Sequence, residues 1–478
     1  MNFTRTLFPL SMLLLSGCVV GPDYQKPETA LPAKFSESKS ASADNVTLNP
    51  WWESFRDKRL NDLVHQGMNE NLTVLQALQR IDAAEANVIV AGAGALPSLG
   101  ASAEGTVSGQ DGSYLRRVNS ATGGASHSES KSISAGLSAS WVVDFFGQYR
   151  RQKEAANASL DAAYDDVNVA RLAYLSDLVS SYVNARYYQE ALALSRKNLQ
   201  SRRESLKLTN EIKEAGAASS LDVLQTEGLV NQTLADLPAL ETGFHQSANH
   251  IATLLGVPAA TITSSLIKGS SQPMPRYATR TGIPADLVRN RPDIRAAERR
   301  LQAATAAIGV AEADLYPSIQ LGGSISATRN FNANVGSLSS WSFGPTLSLP
   351  IFNGGALKAQ VKIAHSEAEQ QYLTWKSTVL NAVEEVENAQ TALIRDGQTV
   401  AALRKVVNSY EQTLNLARES YRGGASTILD VLDAERNVAT ARLSLASAIR
   451  QLARDYVSLN VAIGGGSAIG TPAVVATK

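Results

Sequence analysis

Two stretches of this chain carry an apolar residue at every seventh position, which restricts the possible fold more than any other feature. The first runs through Val379, Val386, Leu393, Val400, Val407, Leu414 and Tyr421, and the second through Val431, Val438, Leu445, Leu452 and Leu459. A sustained seven-residue repeat indicates coiled-coil packing. Gly423 and Gly424 interrupt it, as residues that end a helix do. The sequence therefore predicts a long antiparallel helical hairpin over residues 354–464.

The first half of the chain repeats this pattern. Heptad spacing from Leu178 to Leu206 predicts a second hairpin over residues 147–256, and its first helix would be on the order of 100 Å long. The turn sequence Leu221-Asp222-Val223-Leu224 matches Leu429-Asp430-Val431-Leu432. We therefore expect an internal duplication, with repeats at 61–257 and 285–464, a linker at 258–284 and a C-terminal tail at 465–478.

Each repeat also contains two segments in which apolar and small polar residues alternate. They cover about 98–108 and 132–143 in the first repeat, and 318–328 and 341–351 in the second. Strands of this length and pattern occur in membrane barrels, and half-buried strands of soluble proteins share the alternation. Four strands cannot close a barrel, and an open sheet edge cannot face lipid. In a membrane, two chains would supply eight strands and three chains would supply twelve.

A helix is predicted before each pair of strands. The first is expected to begin after Asn71, with Asn69 as the alternative N-cap, and to reach about Val90. The second carries Pro292 in its first turn, where proline is well tolerated.

The N-terminus has the pattern of a signal peptide over residues 1–17. A basic residue and a short apolar run precede Ser16-Gly17-Cys18, and Cys18 is the single cysteine of the chain. The pattern resembles the lipobox of bacterial lipoproteins, in which this thiol is lipidated. The alternative is an ordinary signal peptide with a chance cysteine. Residues 18–60 are then a lipidated N-terminal tether, of which the Pro-, Ser- and Ala-rich part up to Asn49 is expected to lie extended on the surface.

Charge and motif content argue against several function classes. The chain of 478 residues has 44 basic and 44 acidic side chains, so nucleic acid is not an expected partner. The basic cluster from Arg289 to Arg300 is interpreted as a solvated helix face, because Asp293 and Glu298 interrupt it. No nucleophile–base constellation or phosphate-binding loop is found, and the histidines lack metal-ligand spacing. We expect no enzymatic activity, no metal centre and no cofactor beyond the lipid on Cys18.

Four motifs together resemble outer-membrane efflux lipoproteins of the NodT/OprM type, within the TolC-like outer membrane factor superfamily. They are Cys18 with the following Val-Val-Gly-Pro-Asp-Tyr, Pro50-Trp51-Trp52, the segment from Leu287 to Glu298, and the turn from Tyr421 to Asp433. The resemblance implies an α+β membrane protein that forms a homotrimer. It implies a twelve-stranded β-barrel in the outer membrane of a Gram-negative bacterium and an α-helical barrel in the periplasm.

The resemblance also implies a function. The chain would be the passive exit duct of a tripartite efflux pump for drugs or other small toxic compounds. Its partners would be a periplasmic adaptor (membrane fusion) protein and an inner-membrane pump of the resistance-nodulation-division (RND) class. Two alternatives remain: an exit duct of a protein-secretion system, and a lipid-anchored coiled-coil scaffold without a pore.

The same resemblance assigns a gate to the periplasmic tip. Asp430 and Asp433 match carboxylates that ring the pore and could bind cations weakly, and Leu429 matches a hydrophobic constriction. An alternative for the two aspartates is a purely structural one, since acidic residues in a first turn suit the helix dipole.

Four further positions belong to this expected gate. Tyr421 and Asp222 match side chains that bridge the two hairpins in the closed state, and Arg436 could pair with a carboxylate at the same level. Ser426 stands where the prototype channel has a latching arginine, so that latch is expected to be weaker or replaced.

Overall fold

Long α-helices and one antiparallel sheet make up the computed structural model of the chain. It describes residues 19–28, 30–37, 46–110, 128–269, 271–275, 286–287, 290–331 and 337–468. The helices are α1 (Lys58–Glu70), α2 (Leu72–Ala93), α3 (Gln148–Glu214), α4 (Ser220–Leu254), α5 (Ala259–Leu266), α6 (Pro292–Ala313), α7 (Ala356–Arg422) and α8 (Ile428–Ala462). The strands are β1 (Ser98–Gln110), β2 (Ser128–Val143), β3 (Ser318–Asn330) and β4 (Leu338–Ser348). Two short 3-10 helices cover Val46–Leu48 and Trp51–Phe55.

The chain divides into two compact units. The first comprises Met1–Pro27, Asp82–Asp161 and Arg299–Leu373 and contains the sheet; the second comprises Glu28–Ile81, Ala162–Glu298 and Thr374–Lys478 and contains both hairpin turns. The element order α2-β1-β2-α3-α4 returns as α6-β3-β4-α7-α8.

The sheet has the order β1-β2-β3-β4, and every neighbouring pair is antiparallel. Its register places apolar residues opposite one another: Leu137 pairs with Ala101 and Ile325, and Ile325 pairs with Trp341. Since side chains alternate between faces, these residues form one apolar face. The other face is rich in serine, and its hydroxyls bond across strands in the pairs Ser324–Ser342 and Ser326–Ser340.

The apolar face of the sheet is exposed. Trp341 is 80% exposed and Phe343 77%, and Leu99 and Ile325 are exposed as well. A cleft of about 350 Å³ on this face is lined by Leu99, Leu137, Ala139, Gly323, Ser324, Ile325, Trp341, Ser342 and Phe343. A contiguous apolar surface of this kind marks a membrane or protein contact.

The heptad residues of the hairpins form the core of the second unit. Val379, Val386 and Val400 on α7 are buried, as are Leu178 and Ala185 on α3. The helix pairs α3–α4 and α7–α8 correspond to the two predicted hairpins.

The helix predicted after Asn71 is present, and it runs three residues further than expected, to Ala93. The side chain of Asn71 accepts a hydrogen bond from Val74 N at 3.0 Å and so caps α2. Its amide donates to Leu254 O at 2.7 Å, which ties α2 to the end of α4. The strand predictions start or end a few residues away from the observed bounds; β4 ends at Ser348 rather than at residue 351.

The expectation that the N-terminal tether lies on the surface is wrong for part of it. Phe35 and Val46 are buried, and Ser36 N donates to the Glu387 carboxylate at 3.0 Å. Two single apolar side chains in a polar segment carry no periodic signal, so the sequence did not reveal this packing.

A clamp holds the beginning of the described chain. Arg151 on α3 donates to the carbonyl oxygens of Val20 and Gly21, at 3.1 Å each, and pairs with Asp23 at 2.8 Å. Gly21 has φ +89°, and a Cβ there would lie 2.3 Å from the Cα of Gly309. Only glycine fits this close approach. Cys18 lies outside the described residues.

Two segments at the predicted boundaries contain buried or hydrogen-bonded residues. The predicted linker contains the helix α5, whose Ile262 and Leu266 are buried. The predicted C-terminal tail starts within the core: Gly465 O accepts from Trp51 Nε1 at 3.1 Å, and Gly466 N donates to Val46 O at 3.1 Å.

The interpretation of the basic cluster as a solvated face is wrong for Arg291 and Glu298, which are both buried. Arg291 bonds Asp293 at 2.7 Å, Glu385 on α7 at 2.5 Å and the carbonyl of Ala462 at the end of α8 at 3.0 Å. Two of these partners are far away in the sequence, so the charge pattern within the segment could not indicate them. Arg289 lies outside the described residues.

Candidate functional site

The turn between α3 and α4 is closed by its own residues. Gly216 has φ +82°, and Ala217 N donates to Ile212 O at 3.0 Å, which ends α3. Ser219 and Asp222 form a capping box at the start of α4: Ser219 N and Oγ each donate to the Asp222 carboxylate at 2.8 Å. These hydrogen bonds lower the pKa of Asp222.

The turn between α7 and α8 has the same construction. Gly424 has φ +74°, and Ala425 N donates to Ser420 O at 2.9 Å. Thr427 N and Oγ1 donate to the Asp430 carboxylate at 2.9 and 2.8 Å, and they lower its pKa. The charged carboxylate of Asp430 therefore takes part in capping the start of α8.

The other two predicted pore-facing residues are exposed on α8. Asp433 Oδ1 lies 2.8 Å from Arg436 Nη2, and both side chains are more than half exposed. Leu429 is exposed beside them. Of the two predicted ring carboxylates, Asp433 is thus paired with a neighbouring cation and Asp430 with its own helix start.

Tyr421 contacts the first hairpin. Burial raises the pKa of Tyr421, a hydrogen bond with Thr209 on α3 opposes this, and the charge of Asp222 raises it further. The ring packs against a buried cluster of Ile428, Val431 and Leu432, which Leu229 on α4 also joins. The structure thus brings Tyr421 near Asp222 and gives its hydroxyl a partner on α3.

Ser426 contributes no hydrogen bond to this arrangement. Its Oγ is buried and has no hydrogen-bond partner. The Ser426 side chain therefore supplies no substitute for the latching arginine of the prototype channel.

A group that the sequence analysis did not assign lies one to two helical turns from the α7–α8 turn. Glu435 on α8 is 2% exposed, and its Oε1 accepts from Ser201 Oγ at 3.0 Å, from Ser205 Oγ at 2.8 Å and from Arg418 Nη2 at 2.7 Å. Arg442 on α8 pairs with Glu411 on α7, with Nε 2.8 Å from Oε1.

A signal for these residues is present in the heptads. The second seam position of α8, occupied by Ile449 and Tyr456, continues backwards in steps of seven to Arg442 and Glu435. The equivalent seam of α7 places Glu411 and Arg418 four residues after Val407 and Leu414. Charged residues at four seam positions, complementary in sign, predict ion pairs between the helices.

These ion pairs border a cleft of about 340 Å³ in the second unit. It is lined by Leu194, Ser195, Lys197, Asn198, Gln200, Ser201 and Glu204 on α3, Glu411, Leu414, Asn415 and Arg418 on α7, and Glu435, Val438, Ala439, Arg442 and Leu443 on α8.

The described residues contain no cluster of three or more His, Cys, Asp or Glu side chains able to hold a metal ion. None of their helices combines the length and hydropathy needed to cross a membrane.

Comparison with known proteins identifies the family. The sequence model described as outer membrane efflux protein matches residues 63–257 and 283–465. The chain is 51% identical to Nodulation protein T of Rhizobium leguminosarum bv. trifolii, over 98% of each chain. It is 29% identical to the cation efflux system protein CusC of Escherichia coli K12, over 95% of this chain and 97% of CusC.

A solved structure shows the same architecture. The outer-membrane channel OprN superposes with a TM-score of 0.83 at 32% sequence identity, covering 94% of this chain and 100% of OprN. The chain therefore belongs to the outer membrane efflux protein family, whose members are located in the outer membrane of Gram-negative bacteria.

Proposed function

We propose that this protein is the exit duct of a tripartite efflux pump, which conducts small toxic compounds passively from the periplasm to the exterior. The observation that carries the proposal is the sheet: its apolar face is exposed over all four strands, while its other face is lined with hydroxyls. Lipid satisfies the apolar face, and water in a pore satisfies the polar one.

The sheet also supports the proposed assembly. β1 and β4 each pair with one neighbour within the chain, so each leaves one edge for another chain. Lipid-exposed strands must have their backbone groups paired. Three copies, each giving four strands, would close a twelve-stranded barrel and leave the hairpins to form a periplasmic tunnel. The lipid on Cys18, the periplasmic adaptor and the RND-type inner-membrane pump complete the proposed assembly.

The substrates are proposed only as a class. The two relatives named above are called a nodulation protein and a cation efflux protein, so their names do not indicate one common transported compound. We propose drugs or other small toxic compounds as the cargo, with substrate selection left to the pump. An exit duct for secreted proteins would share the architecture, whereas a scaffold without a pore would leave the hydroxyl face of the sheet without a role.

The gate is proposed to lie at the two hairpin turns. Asp433, Asp430 and Leu429 would line the constriction, and the carboxylates would attract counter-cations. Tyr421, through Thr209 and the nearby Asp222, would hold the second hairpin to the first. These contacts are partly exposed, and each such hydrogen bond is worth about 1 kcal/mol, so docking of a partner could break them.

A conductance measurement tests both the pore and the gate. The wild-type protein in planar lipid bilayers is expected to form narrow channels, and Asp222→Ala combined with Tyr421→Ala is expected to raise the single-channel conductance. Ser219→Ala is the control, because it opens the same capping box without removing the Asp222 charge. Wild-type protein that folds but never conducts would support the scaffold; equal conductance in all three would refute the proposed gate contacts.

A further inference from the structure

The basic side chains of the sheet are gathered at one of its ends. Among the residues of β1 to β4, the Lys and Arg residues are Lys131 on β2 and Arg329 on β3. β2 leads into α3 at its last residue, and β3 follows α6 at its first. Lys131 lies near the start of β2 and Arg329 near the end of β3, so both lie at the end of the strands opposite the helices.

Both cations belong to the apolar face of the sheet. Lys131 lies six residues before Leu137 and Arg329 four residues after Ile325, and side chains alternate between faces along a strand. Phe331 N donates to Lys131 O at 2.9 Å, so Lys131 lies opposite Phe331 and diagonal to Arg329. Diagonal neighbours on adjacent strands are about 7–8 Å apart, within reach of long side chains. The two cations can therefore bind one group together.

The position of the pair along the strands matches the edge of the proposed apolar band. Phe343, in the middle of β4, pairs with Gly323, and Arg329 lies six residues further along β3. This is about 20 Å along the strand, or about 15 Å along the membrane normal for a tilt of about 40°. Half of an apolar band about 25 Å tall is about 12 Å. In the proposed barrel, the pair thus lies at the level of the lipid headgroups on the exterior side.

The charges around the pair leave a positive excess. Lys131 Nζ lies 2.9 Å from Glu129 Oε1, and both side chains are partly exposed. The guanidinium of Arg329 lies over the ring of Phe331, 5.5 Å from its centroid. Within the described part of the chain, Arg329 has no carboxylate partner. Two cations and one carboxylate therefore face the surroundings together, and they can attract an anionic group.

The face is open beside the pair. Val107 on β1 pairs with Lys131, and Gly105 and Gly109 lie on either side of Val107 on the same face. A Cβ at either glycine would meet no atom within 4 Å. A headgroup can therefore approach Lys131 from β1 without displacing a side chain.

We propose that Lys131 and Arg329 form a binding site for the phosphate groups of lipid in the outer leaflet of the outer membrane. Guanidinium and ammonium groups donate charge-assisted hydrogen bonds to phosphate oxygens, and basic residues at a membrane surface bind anionic headgroups. Phe331 supports the guanidinium and adds an aromatic ring at the level where such rings are favoured. The inference rests on the proposed function, since it requires the strands to span the membrane.

The test titrates the full-length protein in detergent with bis-phosphorylated lipid A and counts the bound lipid by native mass spectrometry. Lys131→Gln with Arg329→Gln is expected to lower the bound lipid about ten-fold or more. Arg329→Lys keeps the charge and is expected to have a smaller effect. Lys358→Gln with Lys362→Gln is the matched control: it removes two exposed lysines of α7, which follows β4 at the other end of the strands, and should bind as the wild type does.

Two further probes identify the group that is bound. Lipid A with the same acyl chains and no phosphate should bind the wild type as weakly as the double variant binds the phosphorylated form. Inorganic phosphate in excess should leave the bound lipid A in place, because it has no acyl chains to lie against the apolar face. Displacement by inorganic phosphate would overturn the assignment to lipid and indicate a site for the free anion.

Two other results would overturn the site. Equal binding of lipid A with and without phosphate would show that the two cations contact water alone. An equal loss of lipid in the α7 control would show that net charge suffices. Either result leaves the proposed exit duct intact if the wild-type protein, with folding verified by heat-modifiable migration, conducts ions in planar bilayers. Folded wild-type protein that never conducts would end the proposed function, and the lipid site with it.

Discussion

Asp455 on α8 is a buried carboxyl group beside another one. Burial and the contact with Asp396 on α7 raise the pKa of Asp455 to about 7, against the opposing effects of Gln451 and Arg454. Gln451 Nε2 donates to its Oδ1 at 2.8 Å. Burial and a nearby carboxylate both disfavour the charged form, so Asp455 keeps its proton to a higher pH in the folded state. In the unfolded chain, Asp455 would release that proton near pH 4.

This difference gives the folded protein a defined pH dependence. Between about pH 4 and pH 7 the folded state holds a proton that the unfolded state lacks, so stability falls as the pH rises through that window. Asp455→Asn, which cannot ionise, should flatten the dependence and gain on the order of 1–2 kcal/mol over the wild type above pH 7. Chemical denaturation of both proteins across pH 4–8 measures this. A wild-type stability that rises across the window would contradict the raised pKa of Asp455.

At the same scale, the sequence shows some site residues and hides others. Ser219 with Asp222, and Thr427 with Asp430, are three residues apart and form the local motif of a capping box, so their bonds could be predicted. The serine partners of Glu435 lie more than two hundred residues away along the chain. Only the packing of α3 against α8 brings them together, and no local pattern contains it.

Among the elements, α6 is held at its first turn by Arg291. This buried guanidinium bonds Asp293 in the first turn of α6, Glu385 on α7 and the last turn of α8 through Ala462 O. The three bonds join three helices at one side chain. Arg291, which lies in one of the segments that carry the family resemblance, is therefore a structural junction in this protein.

Arg291→Ala should destabilise the junction. It leaves the Ala462 carbonyl without this partner and two carboxylates without their cation, which we expect to lower the free energy of unfolding by about 2 kcal/mol. Arg300→Ala on α6, where the side chain is exposed, is the control and should change stability little. Thermal unfolding of the purified protein compares the two. Equal melting temperatures for both variants would show that the buried bonds contribute nothing net.

Element prediction from the sequence succeeded where a long periodic signal existed. The heptads of α3 and α7 and the alternation of the strands span many residues, so chance cannot easily imitate them. The helix α5 has eight residues, and its Pro-flanked sequence gave too few periods to distinguish it from a linker. Phe35 is buried although it lies in a segment without apolar periodicity, so the pattern does not reveal its burial.

At the scale of the whole molecule, the two faces of the sheet differ in the surroundings that suit them. Phe343 lies in the middle of β4 and is 77% exposed on the apolar face, while its neighbour Ser342 bonds Ser324 on the opposite face. Substitutions at these two adjacent residues can therefore test the two sides of the proposed barrel separately.

Phe343→Arg should impair the folded protein in lipid. A charge on the lipid-facing side near the membrane midplane costs about 2–4 kcal/mol. Ser342→Arg, the control, places the same charge on the polar side, where water can solvate it. Urea unfolding from lipid vesicles, followed by heat-modifiable migration, measures both. If Ser342→Arg were the more damaging variant, the assignment of the two faces would have to be exchanged.

Because both hairpin turns are closed by bonds between residues three apart, they can form early and locally during folding. The two helices of each hairpin can then pack progressively from the turn. Contacts near the turn join residues that are close in sequence, so they cost little loop entropy. β2 and β3 must instead find each other from opposite halves of the chain. We therefore expect the hairpins to fold first after export. The apolar strands of the proposed barrel would then pair last, at the membrane.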